Sequence, residues 1–79
     1  MKQNDVRIEK NLKLIGQALK ELRIRKGWKS YETFAIENDL DRKQYWRIES
    51  GTNITLKSLI RILNIHRISL HQFFMEIKL

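Results

Sequence analysis

Arg42, Lys43 and Arg47 fall within the run DRKQYWRIES, residues 41–50. At about 100° per residue, as on an α-helix, they share one face with Trp46 and Ser50, while Gln44, Tyr45 and Ile48 point elsewhere. Three cations on so narrow a face suit a polyanion. Arginine can give two parallel hydrogen bonds to guanine O6 and N7, worth ~1–3 kcal/mol of discrimination between bases. Lysine reaches the same edge as a less directional donor. The expectation is therefore major-groove base readout by Arg42 and Arg47, with Lys43 shared between base and phosphate. The bland alternative is a solvated basic face, the usual meaning of a charge cluster. Trp46 has two readings here: it presses on a thymine methyl or a sugar, or it covers the following loop. The large apolar area of indole favours the covering role.

Other chemistry is thinly represented. His66 and His71 lie five apart without a third ligand, which argues against zinc. His66 reads as a partly buried core residue and His71 as a surface one. No Ser/His/Asp or Cys/His constellation is visible, and Glu32 and Glu37 read as scattered helix-surface carboxylates. The three glycines stand alone at 16, 27 and 51, so no glycine-rich phosphate loop exists. Neither an enzyme nor a cofactor or metal is expected.

The elements that must position the basic face can be read in order. Residues 1 to about 5 are polar and expected to fray. Ile8, Leu12, Ile15, Leu19 and Leu22 then recur at four, three, four and three, predicting a helix to about Lys26 that Gly27 stops. Gly16 inside it disfavours helix by ~1 kcal/mol relative to alanine and permits close approach of another helix. Trp28 reads as a plug over the helix end. Ser30 caps a second helix to about Glu37, and Asn38 and Asp39 form a turn that tolerates the left-handed conformation. Asp41 caps the basic helix, Arg42 to Ser50, and Gly51 ends it. Thr55 caps a fourth helix with Leu56, Leu59, Ile60, Ile62 and Leu63 inward. Ser69 caps a fifth, with Leu70, Phe73 and Ile77 inward. The fold class expected is all-α, a compact five-helix domain.

Seventy-nine residues make one small domain with a thin stability margin. Sixteen Lys and Arg against nine Asp and Glu give a net charge of +7, with a pI near 10.1. Such a bias favours nucleic acid, though an acidic membrane surface or acidic protein fits the charge as well. The absence of cysteine excludes disulfides and suits a reducing compartment. No run approaches a membrane span and no apolar signal core opens the chain. The expected location is cytoplasmic.

From Ile15 to Phe74 the chain resembles the Cro/phage-repressor family of helix-turn-helix DNA-binding domains, the XRE-like regulators. The pieces that carry the resemblance are IGQALKELRIRKG, SYETFA from Ser30, YWRIESG, TLKSLIRIL and ISLHQFF, in that order. It implies a repressor-like domain over residues 15–79, preceded by an extension or helix start over 1–14, with helices 30–37 and 42–50 as the helix-turn-helix. It implies base contacts by Arg42, Lys43 and Arg47, and phosphate contacts by Ser30, Tyr31, Gln44, Thr52 and Asn53. It also implies a structural ion pair between Arg23 and Glu49. The chain departs from the family where Asp39 replaces the turn glycine, Asn38 an apolar residue, His66 a core leucine and Arg67 a glycine. With Asn38 polar, Ile36 is left to fill the gap.

The expected function is that of a sequence-specific double-stranded-DNA-binding transcriptional regulator, a repressor binding a palindromic operator. The last helix holds more large apolar groups than one core face needs, and Phe74, Met75 and Leu79 are the candidate homodimer interface. Two recognition helices would then lie ~34 Å apart, one DNA turn. The alternative for Phe74 is packing against the first helix in a monomer. The rival function is a protein-interaction module, such as an antitoxin, using the last helix or residues 1–14 to hold a protein partner.

Overall fold

The computed structural model describes residues 3–79. Among these, the chain forms α1 (Gln3–Arg25), α2 (Tyr31–Glu37), α3 (Arg42–Glu49), α4 (Leu56–Ile65) and α5 (Leu70–Ile77), with no strand. The fraying expected of residues 1–5 falls partly outside the described residues, while residues 3–5 already belong to α1. Positions 14 and 15 lie within α1, which runs unbroken past them.

Each short helix starts on a side-chain oxygen that satisfies an orphan backbone N–H. Ser30 accepts from the Thr33 amide, Asp41 from Gln44, Thr55 from Ser58 and Ser69 from Gln72. The ends rely on left-handed residues: Gly27 at φ 99° closes α1 and Gly51 at φ 95° follows α3. Where the family pattern has glycine, Asp39 and Arg67 each adopt φ 58°. The α2–α3 turn is thus kept with a residue that has a Cβ. Asn38 helps hold it, because its side-chain amide donates to the Phe34 carbonyl at 2.8 Å, and the Leu40 amide reaches Ala35 O at 2.8 Å.

The core gathers Leu19, Phe34, Ala35, Tyr45, Ile48, Leu59, Ile62, Leu63 and Phe73 from all five helices. Half-buried Trp28 stands edge-on to Phe34, with centroids 5.7 Å apart, as expected of a plug over the end of α1. Half-buried His66 stacks on Phe34 itself, with centroids 5.5 Å apart and planes 8° from parallel.

Three packing expectations fail. Ile36 is 60% exposed, and half-buried Leu40 packs against the core beside Asn38 in its stead. On α4 the core-facing arc is Leu59, Ile62 and Leu63, while Leu56 and Ile60 lie to one side of it and remain exposed. Ile8 extends the apolar stripe of α1 but is exposed, because α1 has 23 residues and its neighbours only 7 to 10. At ~1.5 Å per residue it outruns what those neighbours can cover.

Candidate nucleic-acid interface

The basic face is held out by contacts on the opposite side of α3. Tyr45 and Ile48 are buried, and the C-terminal half of α3 presses on α1 at Gly16. A Cβ there would stand 2.5 Å from Ile48 O and 2.8 Å from Glu49 O, so only glycine permits this crossing. Beside it, Arg23 is 4% exposed. Its Nε donates to Glu49 Oε2 at 2.7 Å and its Nη2 to Glu49 Oε1 at 3.1 Å. Its Nη1 donates to the carbonyls of Trp28 and Lys29 at 2.7 and 2.9 Å. One side chain thereby fixes the end of α1, the approach to α2 and the end of α3. The hydrogen bond to Glu49 raises the Arg23 pKa further despite burial, so the guanidinium stays charged. The buried Tyr45 hydroxyl lies in the field of this pair without meeting a partner at hydrogen-bond geometry, and burial pushes its pKa up.

With its inner side fixed this way, α3 leaves Arg42, Lys43, Trp46, Arg47 and Ser50 exposed. Arg42 is engaged: its Nη1 donates to Glu32 Oε2 of α2 at 2.9 Å, in a pair about half open to solvent. Lys43 and Arg47 are exposed beside it. Trp46 is 52% exposed, contrary to the covering role expected of its indole. Instead it borders a shallow groove with Gln17 and Lys20 of α1, Tyr31 of α2, and Arg23, Glu49 and Ser50.

The residues assigned phosphate contacts by resemblance are spread around this face. Ser30 and Tyr31 stand at the start of α2. The Ser30 oxygen accepts from Thr33, which leaves its hydroxyl proton available, and Tyr31 is half-buried against the core. Gln44 lies toward α4, along a small cavity of about 40 Å³ shared with Leu40, Asp41, Ser58 and Arg61. Thr52 and Asn53 are exposed after Gly51. The Thr52 hydroxyl donates to the Arg47 carbonyl at 2.8 Å, so its single proton is already engaged. On α5, Phe74 is half-buried and packs against the core, 5.5 Å from Phe73, whereas Met75 and Leu79 are exposed.

Sequence reasoning passed over the α1 side of the groove beside Trp46. Lys13, Gln17 and Lys20 follow one another at spacings of four and three, a polar pattern that runs beside the apolar stripe of the same helix. The Arg42–Glu32 pair left no local trace, since its members are ten residues apart on different helices. Among the described residues no cluster of three or more His, Asp or Glu could hold a metal, and no helix is long and apolar enough to cross a membrane.

No protein-family profile matches the chain, and no solved structure matches it significantly. Control protein C.MunI of Mycoplasma sp is 38% identical over 76 residues, which span 95% of this chain and 96% of that protein. Similarity at that level along nearly the whole of both chains is not confined to one motif: this protein belongs to the control-protein family of which C.MunI is a member.

Proposed function

We propose that this protein is a DNA-binding transcriptional regulator of restriction–modification genes, recognising a palindromic operator as a homodimer. The observation that carries the reading is the outward face of α3, where Lys43 and Arg47 stand exposed and Arg42 is held at the edge by Glu32. The Gly16 crossing and the Arg23–Glu49 pair support it by fixing the angle of that helix. Arg42 and Arg47 read guanine edges, and Lys43 is shared between base and phosphate. Ser30, Tyr31, Gln44 and Asn53 contact phosphates. Thr52 joins them only by exchanging its bond to Arg47 O. The protein acts in the cytoplasm, where its operator is accessible, and represses by occupying it.

Dimerisation uses the exposed apolar residues near the chain end, Met75 and Leu79, with Phe74 as a supporting core residue and not a contact in its own right. Exposed Ile60 and the shallow surface between α4 and α5, bordered by Ile68 and Leu70, extend that patch. A second reading, a protein-interaction module, is favoured by the exposed Val6, Ile8 and Leu14 on α1. Selection of bound duplexes from a random pool separates the two. Recovery of a palindrome with half-sites about one helical turn apart is expected. No enrichment of any duplex, with a small protein co-purifying, would favour the module.

A further inference from the structure

The groove beside Trp46 is built from both α1 and α3, and its charge is one-sided. Glu49, the carboxylate at its floor, is neutralised by the two hydrogen bonds from Arg23. What remains facing solvent is Lys20, Gln17, the Tyr31 ring, Ser50 and the exposed indole of Trp46. The same side of α1 continues to Lys13, whose backbone lies against Gly51: a Cβ on that glycine would stand 2.8 Å from Lys13 Cγ and 3.1 Å from its Cα. Lys13 and Lys20 are seven residues apart, ~10 Å along a helix, a separation at which two long side chains can reach different phosphates of one strand. A flat, half-exposed aromatic sharing a groove with Lys20, with Lys13 farther along the same helix, matches a deoxyribose–phosphate strand, whose sugars are apolar and whose phosphates are charged. The groove is also continuous with the basic face, because Trp46 precedes Arg47 and lies one turn beyond Arg42 and Lys43.

We propose that Lys13, Lys20 and Trp46 form a second, sequence-independent contact in which α1 clamps the sugar–phosphate backbone flanking the groove that α3 enters. This rests on the DNA-binding reading above and assigns α1 a part in it. Lys20 neutralises one phosphate and the Trp46 indole lies on the adjoining sugar. Lys13 exchanges its exposed pair with Glu9, at 3.1 Å, for a second phosphate.

The test measures affinity for a selected duplex and for a random one between 50 and 200 mM salt, comparing the wild-type protein with Lys20→Gln, Lys13→Gln and Trp46→Ala. Arg25→Gln, which removes an equal charge from another face of α1, is the control. Each lysine variant is expected to reduce the log–log salt slope by ~0.9 on both duplexes, so that its affinity falls about threefold less over that salt range than the wild type's. Trp46→Ala should weaken both duplexes by a similar factor and leave the slope unchanged. Slopes for Lys20→Gln and Lys13→Gln that match the wild type, or that change no more than for Arg25→Gln, would overturn the clamp while leaving the α3 reading standing. A Trp46→Ala loss confined to the selected duplex would overturn the sugar contact by placing the indole on a base. Wild-type protein that binds neither duplex would overturn the parent reading and the clamp together.

Discussion

Arg23 and Glu49 face each other in two parallel hydrogen bonds, 2.7 and 3.1 Å long, in a setting where Arg23 is almost wholly enclosed. The pair spans 26 residues of sequence and joins the helix that starts the fold to the end of the helix that carries the basic face. Burying two charges is costly, so such a pair adds little net stability over an apolar replacement of its size. Removing one member is a different matter, because the other is left charged and uncompensated. Arg23→Met is therefore expected to cost about 3–5 kcal/mol in urea unfolding. The double variant Arg23→Met, Glu49→Leu should recover part of that loss. A double variant no more stable than the single one would show that the Trp28 and Lys29 carbonyl contacts, and not the ion pair, dominate.

Gly16 offers a second check on the same crossing. On an exposed helix, Gly→Ala would stabilise by ~1 kcal/mol. Here the added methyl meets two backbone carbonyl oxygens, and backbone cannot swing aside as a flexible side chain can. Gly16→Ala should destabilise by roughly 1–3 kcal/mol, as overpacking does. It should also weaken DNA binding more than that loss of folded protein explains, since α3 must tilt. A stabilising Gly16→Ala would refute the close approach.

His66 makes stability depend on pH. Burial, and then the nearby charges of Lys26 and Arg25, lower its pKa from the usual 6.5, and its Nε2 has no partner. The unfolded chain therefore binds a proton at a higher pH than the folded one. Stability contributed by the neutral ring is fully present above about pH 6.5 and is lost as pH falls below that value toward the lower folded pKa. His66→Leu should flatten the stability profile in that window, and at pH 7 it should lie within about 1 kcal/mol of the wild type because no satisfied hydrogen bond is lost. An unchanged profile in the variant would assign the pH dependence to another group.

Much of the architecture was legible because it is local. Ser30, Asp41, Thr55 and Ser69 each bond an amide three residues on, so the cap and its helix lie in one short window. Gly27 and Gly51 mark the stops where the chain turns left-handed. What could not be read depends on where one helix ends relative to another. Leu56 and Ile8 are apolar at helical spacing, yet Leu56 lies beside the buried arc of α4 and Ile8 reaches past its neighbours into solvent. Whether Trp46 is covered depends on where α1 and the start of α2 stand beside it, which no spacing within α3 encodes. Glu32 meets Arg42 only because of the angle between α2 and α3.

Self-association should be tested at a residue whose loss leaves the core intact. Phe74 packs inward, so Phe74→Glu would confound unfolding with dissociation. Met75 is 65% exposed and is the cleaner choice. Met75→Glu should shift sedimentation at micromolar concentration from dimer to monomer while leaving helical content unchanged. A wild-type protein that sediments as a monomer, or a variant that still dimerises, would exclude this surface.

The central claim is that the outward face of α3 reads bases, and Arg47 tests it most directly because it is exposed and its side chain makes no hydrogen bond among the described residues. The measurement is the ratio of affinities for the selected and a random duplex, for wild type and Arg47→Ala at one salt concentration. The account expects the variant to lose about 1–3 kcal/mol on the selected duplex and far less on the random one, narrowing the ratio. Equal losses on both duplexes would contradict it, leaving α3 a basic surface that holds DNA without reading it.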